Sequence, residues 1–208
     1  MVFFVDVHNR AQFTAQLEQM FWQRKHIFID QLGWPLPARN GLEIDAYDGS
    51  DTRYLLALND SGTNVLASAR LLPTARPHLM SDLFAHLCVA PCPTGARVWE
   101  ASRFCPSPTL TGRTRLNCLW QILCAITETC LLHGIEQIIF TANSGLLPLA
   151  MQCGWRARAL GSTVCDGDDS ITPVAAWMDE AGLESIRRRF GIPAPITRFE
   201  TDASCIAA

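Results

Sequence analysis

Three short clusters set ionic and aromatic groups among apolar residues: Arg24, Phe28 and Trp34; Glu43, Asp45 and Asp48; and Trp99, Glu100, Arg103 and Phe104. Arg70, in Arg70-Leu-Leu-Pro-Thr74, falls between the second and the third. Charges in such surroundings are costly to bury unless they meet an opposite charge or a ligand. Carboxylates can take a proton or hold a cationic amine, guanidinium groups grip anions in a fork, and aromatic faces attract cations. Taken singly, each position has a plain structural alternative. Asp45 and Asp48 lie in a turn-rich stretch where Asp bonds its own backbone, and Arg24 can lay its stem over a core. Trp34 can fasten a loop, and Glu100 can pair with an arginine for structure alone. The ordered set is what points to a site.

The elements that must position these groups are legible in outline. Val2–Val7 reads as a strand. From Arg10 to Ile29, Phe13, Leu17, Met20, Phe21, Arg24 and Phe28 recur at helical spacing, and Gly33, Pro35 and Pro37 end that run. Arg24 and Phe28 stand one turn apart on one face. A loop over about 38–52 carries the acids. Tyr54–Leu58 and Val65–Leu71 read as strands joined by Asn59-Asp60-Ser61-Gly62. Met80–Leu87 suggests one short helix. Arg97–Phe104 reads as a strand whose period of two puts Val98, Glu100, Ser102 and Phe104 on one face. Arg115–His133 is the longest helix, capped by Gly134. Gln137–Thr141, a helix from Ser144 to Gln152, late strands near Thr163–Val164 and Val174–Trp177, and a helix over Glu180–Phe190 complete the reading. Strands bracketing helices predict an α/β sandwich with a mixed sheet. One domain over residues 1–208 is expected, with a helical N-terminal segment at about 8–34 and a loose tail at about 194–208.

Composition narrows the partners. The 208 residues are 49% hydrophobic and 18% charged, with a net charge of −3, which suits a globular core and argues against a nucleic-acid groove. The longest apolar run, Leu116–Leu132, is interrupted by Asn117, Gln121 and Glu128 and reads as a core helix. Met1–Val7 is short and broken by Asp6, so a cytoplasmic, reduced location is expected, with most of the nine cysteines acting as small core residues. His86, Cys88 and Cys92 come nearest to a metal set, yet lack ligand-pair spacing, so no metal is expected.

The order and spacing of the clusters, over roughly residues 20–160, resemble those of the acyl-homoserine-lactone synthases, the autoinducer synthases of bacterial quorum sensing. The resemblance implies a GNAT-like α/β/α sandwich with a central mixed, twisted sheet. It implies an enzyme that transfers an acyl group from acyl carrier protein, the default donor, or from acyl-coenzyme A to the amine of S-adenosylmethionine. Lactone closure then releases N-acyl-homoserine lactone and 5′-methylthioadenosine. S-adenosylmethionine is a substrate in this reaction, and no cofactor is expected.

By the same resemblance Arg24, Phe28 and Trp34 build a lid over S-adenosylmethionine, Asp45, Asp48 and Arg70 form its polar network, and Arg103 and Phe104 line the nucleotide pocket. Glu100 matches the catalytic carboxylate, with Trp99 and Phe104 expected to desolvate it and raise its pKa. A backbone N–H at a strand irregularity is the expected oxyanion donor. Phe84, Trp99, Thr141, Ala142, Leu146, Leu149 and Trp177 are candidates for the acyl pocket, with either Thr141 or Ala142 at the position that reads the acyl β-carbon.

One departure concerns the donor. Ser144–Gln152, where the family often carries a basic patch for the carrier protein, has no Lys or Arg; Arg156, Arg158 and Arg187–Arg189 supply the positive charge nearby. The alternatives are a GNAT-type N-acyltransferase using acyl-coenzyme A and a noncatalytic nucleotide-binding module. The first would want closely spaced glycines between Phe104 and Leu116, where this chain has only Gly112. Thiol catalysis by Cys105 lacks a nearby His.

Overall fold

The computed structural model describes residues 1–166 and 169–200. Its elements are, in chain order, β1 (Val2–Val5), a 3₁₀ turn at Arg10–Phe13, α1 (Thr14–Arg24) and a widened π-type turn at Lys25–Gln31. Then come β2 (Ala38–Arg39), β3 (Leu42–Glu43), β4 (Arg53–Leu58), β5 (Val65–Pro73), α2 (Leu79–Asp82) and β6 (Val98–Pro106). The remainder is α3 (Gly112–Leu132), β7 (Gln137–Asn143), α4 (Leu147–Gln152), β8 (Arg156–Ala159), β9 (Val164–Asp166), β10 (Asp169–Trp177), α5 (Glu180–Phe190) and β11 (Thr197–Phe199). This is an α/β fold with a mixed main sheet of nine strands. Among the described residues no helix is long and apolar enough to cross a membrane.

The chain divides into two compact units. One comprises Met1–Arg70, Arg103–Ile122 and Ile196–Ala208; the other comprises Leu71–Ser102 and Leu123–Pro195. In the first, β1 pairs antiparallel with β4, Val2 opposite Ala57 and Val5 opposite Tyr54. The core behind them gathers Val5, Phe13, Met20, Tyr54, Leu56, Leu58 and Val65, with Leu17 and Phe21 packed against it. Each such side chain removed from water contributes about 1.5–3 kcal/mol. The helical spacing of Phe13, Leu17, Met20 and Phe21 is therefore what seats α1.

In the second unit β7 runs parallel to β6, with Glu100 beside Ile139. It runs antiparallel to β10, with Trp177 opposite Gln137 and Thr172 opposite Ala142. Met80, Ile139, Leu160 and Ala175 form an apolar cluster, with Phe84, Cys88, Cys92 and Val98 packed against it. Asp179 caps α5 by accepting from Gly182 N at 2.7 Å, and Gly191 closes that helix at φ +66°. Arg187, Arg188 and Arg189 fill its last turn, where the helix dipole favours cations.

Several expectations are corrected in detail. The first helix is a composite of three turn types, because the chain tightens before Thr14 and widens after Arg24. Part of the expected loose tail is ordered: Thr197–Phe199 lies parallel to β1, with Val2 N donating to Ile196 O at 3.0 Å. The rest of that tail, 201–208, lies outside the described residues. β8 was not expected, since alternating arginine and alanine carries little strand signal. Of the eight described cysteines none is in a disulfide, and Cys105, Cys118, Cys124, Cys130 and Cys153 are buried.

Candidate active site

The first unit gathers three arginines and three carboxylates into one network. Arg24, at the last position of α1 and fully buried, donates from Nε to Glu43 Oε2 at 2.5 Å. Its two Nη atoms donate to the two Asp48 oxygens at 2.9 and 2.8 Å, a bidentate fork. Arg70, buried on β5, grips Asp45 in the same way at 2.6 and 3.0 Å and reaches Asp48 at 3.0 Å. Arg103 Nη2 bridges Glu43 Oε1 at 2.9 Å and Asp45 Oδ2 at 2.8 Å. Tyr54 OH donates to Asp48 Oδ1 at 2.9 Å. Three positive and three negative side chains balance, and nearly all are out of water. The least covered are Asp45 at 10% and Arg103 at 7% side-chain exposure.

The loop that carries the acids is organised by its own backbone. Asp48 N donates to Asp45 O, Asp45 N to Asp48 Oδ2, and Tyr47 N to Asp45 Oδ1. Turn chemistry and ion pairing are therefore both present, and the same aspartates do both jobs. Burial works against the charge on Asp48, but Arg24 and Arg70, with the Asp45 backbone, outweigh it and hold its carboxyl well below the usual range. A depressed folded-state pKa gives stability that is present above the unfolded value of about 3.9 and is lost as pH falls below it. Asp48→Asn should therefore lower the melting temperature at pH 7, with the gap to wild type closing below about pH 4. Thermal melts of both proteins across pH 3–8 check this.

Phe28 and Trp34 stack with centroids 5.0 Å apart and planes 8° from parallel. The sequence makes this pair through a helix terminus. Gly33 takes φ +68°, Gly33 N donates to Ile29 O, and Trp34 N donates to Phe28 O at 2.9 Å. Both bonds reach one carbonyl further back than in the usual two-bond glycine cap, as the widened turn before them requires, and Trp34 then packs on Phe28 six positions earlier. The Arg103 guanidinium carbon lies 5.7 Å from the Phe28 ring centre. Gly33→Ala puts a side chain in the left-handed region and should cost about 1 kcal/mol. Chemical denaturation measures that loss, and Trp34 fluorescence reports the disturbed stack.

Arg103 itself has φ +51°, inside β6. A non-glycine residue in this conformation is strained by about 1–2 kcal/mol. It interrupts the alternation that an unbroken strand would keep. Phe104, next along, is half-buried.

In the second unit Glu100 is 2% exposed, and its Oε1 accepts from Met80 N at 3.0 Å. Thr141, two residues beyond Ile139 on β7, shares Glu100's face, and its Oγ1 lies 3.8 Å from Met80 Sδ. Ala142 is fully buried on the other face, as is Phe140, whose ring meets Trp155. Of the two residues expected at the acyl-reading position, Thr141 is the one on the face of Glu100. Phe84 packs with Met80 in the same cluster. Leu146 and Leu149 are half-buried on the segment after β7.

Two acyl-pocket residues do not join this group. Trp99 packs on His133 at 5.3 Å, on the face of β6 opposite Glu100, so it does not shield that carboxylate. Trp177 stands in register with Gln137, five positions from the Ala142 row, about 17 Å along the strand. There Arg156 and Arg158 cover its ring at 5.2 and 5.3 Å. Cys105 is fully buried, and burial pushes its thiol up to about 12, which removes the thiolate that thiol catalysis needs. Among the described residues no group of three or more His, Cys, Asp or Glu is placed to hold a metal ion.

Sequence reasoning gave no role to Glu43, Tyr54 or Met80. Glu43 was visible within its own cluster, at the centre of two ion pairs. A single tyrosine opening a strand gives no such signal, and a backbone N–H has none in any sequence.

The fold is a GNAT-like α/β fold, whose first unit holds the ionic network and whose second unit holds a buried carboxylate beside an apolar cluster. Residues 8–186 match the autoinducer synthase family. The chain is 33% identical over 198 residues to the isovaleryl-homoserine lactone synthase of Bradyrhizobium diazoefficiens, covering 93% of this chain and 87% of that protein. It is similar to the solved structure of BjaI, a CoA-dependent acyl-homoserine lactone synthase with SAM and isopentyl-CoA, at TM-score 0.86 and 30% identity over 97% of this chain and 94% of that one. The CoA-dependent synthase MesI is similar at TM-score 0.85 and 30% identity, covering 95% and 98%. This chain belongs to the autoinducer synthase family, and its activity is acyl-homoserine-lactone synthesis.

Proposed function

We propose that the network around Arg24, Asp45, Asp48, Arg70 and Arg103 binds S-adenosylmethionine and that Glu100 is the base for its amine. The observations that carry this are the ionic network of the first unit, in which guanidinium groups and carboxylates meet, and the burial of Glu100 on its strand with Met80 N donating to it. Asp45, the least covered carboxylate of the network, suits the cationic amine, and Arg103 suits the carboxylate of the methionyl group. The half-buried Trp34, stacked on Phe28, offers a ring face to the sulfonium.

The methionyl ammonium is not a nucleophile until it loses a proton. Glu100 takes that proton, directly or through a water, and the free amine attacks the thioester carbonyl; the carbon–sulfur bond then breaks, and the sulfur departs as the thiol with the proton that the newly acylated nitrogen sheds. Positioned proton transfer of this kind contributes about 10²–10⁴-fold. The irregular backbone at Arg103 is the proposed source of an N–H for the developing oxyanion. The methionyl carboxylate then attacks the carbon next to sulfur, closing the lactone and expelling 5′-methylthioadenosine, whose sulfonium precursor is already activated. Both substrates are consumed, and no step draws on a cofactor. Since thioester donors and S-adenosylmethionine are cytoplasmic metabolites, we place the reaction there.

Acyl-coenzyme A is the donor in this reading. Its support is the likeness to CoA-dependent synthases, the absence of Lys and Arg from α4 (Leu147–Gln152), and Gly112, Arg113 and Arg115 opening α3 with no acid in its first turn. Guanidinium groups and free amides there suit phosphates. Initial rates with one acyl group carried either by coenzyme A or by acyl carrier protein test the assignment. We expect kcat/KM at least about tenfold higher for the coenzyme A ester, which is about 1.4 kcal/mol of preference. A preference for the carrier protein would assign the donor the other way.

A further inference from the structure

We infer that Met80 links the fit of the acyl chain to the placement of Glu100. This rests on the reading of Glu100 as the base. Met80 is fully buried and makes two different contacts. Its backbone N–H donates to Glu100 Oε1 at 3.0 Å in buried surroundings. Its side chain packs into the cluster of Ile139, Leu160 and Ala175, with Phe84 against it and Sδ 3.8 Å from Thr141 Oγ1. Phe84 and Thr141, two of the residues expected to line the acyl pocket, meet Met80 here.

The local structure makes the two contacts interdependent. Met80 lies in α2, a single turn of four residues too short to hold its own geometry. What fixes the position of the Met80 amide is therefore side-chain packing together with the hydrogen bonds around the turn. His78, 2% exposed, precedes the turn with its Nδ1 2.9 Å from Arg76 O. Ser81 Oγ donates to His78 O at 2.9 Å, which holds the start of the turn from the other side. On the β-strand face there is no slack: protein interiors respond to a change of even one methylene. An acyl chain that presses on the Met80 thioether displaces the same residue whose amide orients the carboxylate. Chain length is then read in kcat, through the geometry of the base, as well as in KM. A displacement near 1 Å at a catalytic group can cost about 10²-fold.

Met80 is thus a positioning residue that also sets chain preference. The test compares wild type with Met80→Ala and Met80→Leu, with kcat and KM measured separately over acyl-coenzyme A donors of four to ten carbons. For the donor best used by wild type, Met80→Ala should lose about 10–100-fold in kcat, with KM within a few-fold. Its optimum should shift to longer chains, and Met80→Leu, close in volume, should restore kcat. Wild type gives a reading that needs no variant: donors longer than the best one should lose kcat at saturation. A flat kcat across chain lengths, or a Met80→Ala enzyme altered in KM alone, overturns the link and leaves Met80 as a lining residue. Glu100→Gln separates the two claims. If that variant keeps wild-type turnover, the base assignment fails; if it is inactive while Met80→Ala changes only KM, this inference alone fails.

Discussion

Glu100→Gln should turn over at least about 100-fold more slowly than wild type at saturating substrates, and up to about 10⁴-fold. Glutamine keeps the size of the side chain and still offers an oxygen to Met80 N, so the local structure has no reason to change. What it loses is the ability to take a proton from an ammonium group. The loss should fall on kcat and kcat/KM alike, because the proton is removed only on the way to the transition state. Steady-state rates with both substrates varied, alongside circular dichroism to confirm the fold, make the comparison. A variant that retains more than a tenth of wild-type kcat would require another base.

Arg24→Ala should have the largest effect on stability. Arg24 is fully buried and is the shared partner of Glu43 and Asp48, themselves buried. Burial alone would weaken its charge, but Asp48 and Glu43 outweigh that and hold the guanidinium more firmly protonated than usual. Removing it leaves two carboxylates with Arg70 and Arg103 as remaining partners. Breaking a buried pair from one side costs about 3–5 kcal/mol. For a chain of this size that is about 6–20 °C in melting temperature. Scanning calorimetry at pH 7 measures it. A loss under about 1 kcal/mol would mean that the network is loosely solvated and contributes little to the fold.

The sequence revealed the members of the site better than their grouping. Arg24, Asp45, Asp48, Arg70 and Arg103 were all visible as charges in apolar surroundings, and they meet because such charges have few other ways to be buried. The α5 limits were legible because an aspartate cap and a terminal glycine mark both ends. Other features depend on contacts far apart in the chain. Trp99 and Trp177 looked like acyl-pocket residues because both are large and apolar, yet strand register turns the first to His133 and carries the second toward Arg156. Strand β11 was missed because its pairing with β1 spans almost the whole chain. The left-handed Arg103 has no local signature, since arginine is not a residue that prefers φ near +51°.

Calorimetric titration of S-adenosylmethionine into wild type, Asp45→Asn and Glu100→Gln tests the division of labour most directly. A charge-assisted hydrogen bond contributes about 1.5–3 kcal/mol, so Asp45→Asn should weaken binding by about 10–100-fold. Glu100→Gln should bind within a few-fold of wild type. Weakened binding in Glu100→Gln together with unchanged binding in Asp45→Asn would contradict the account.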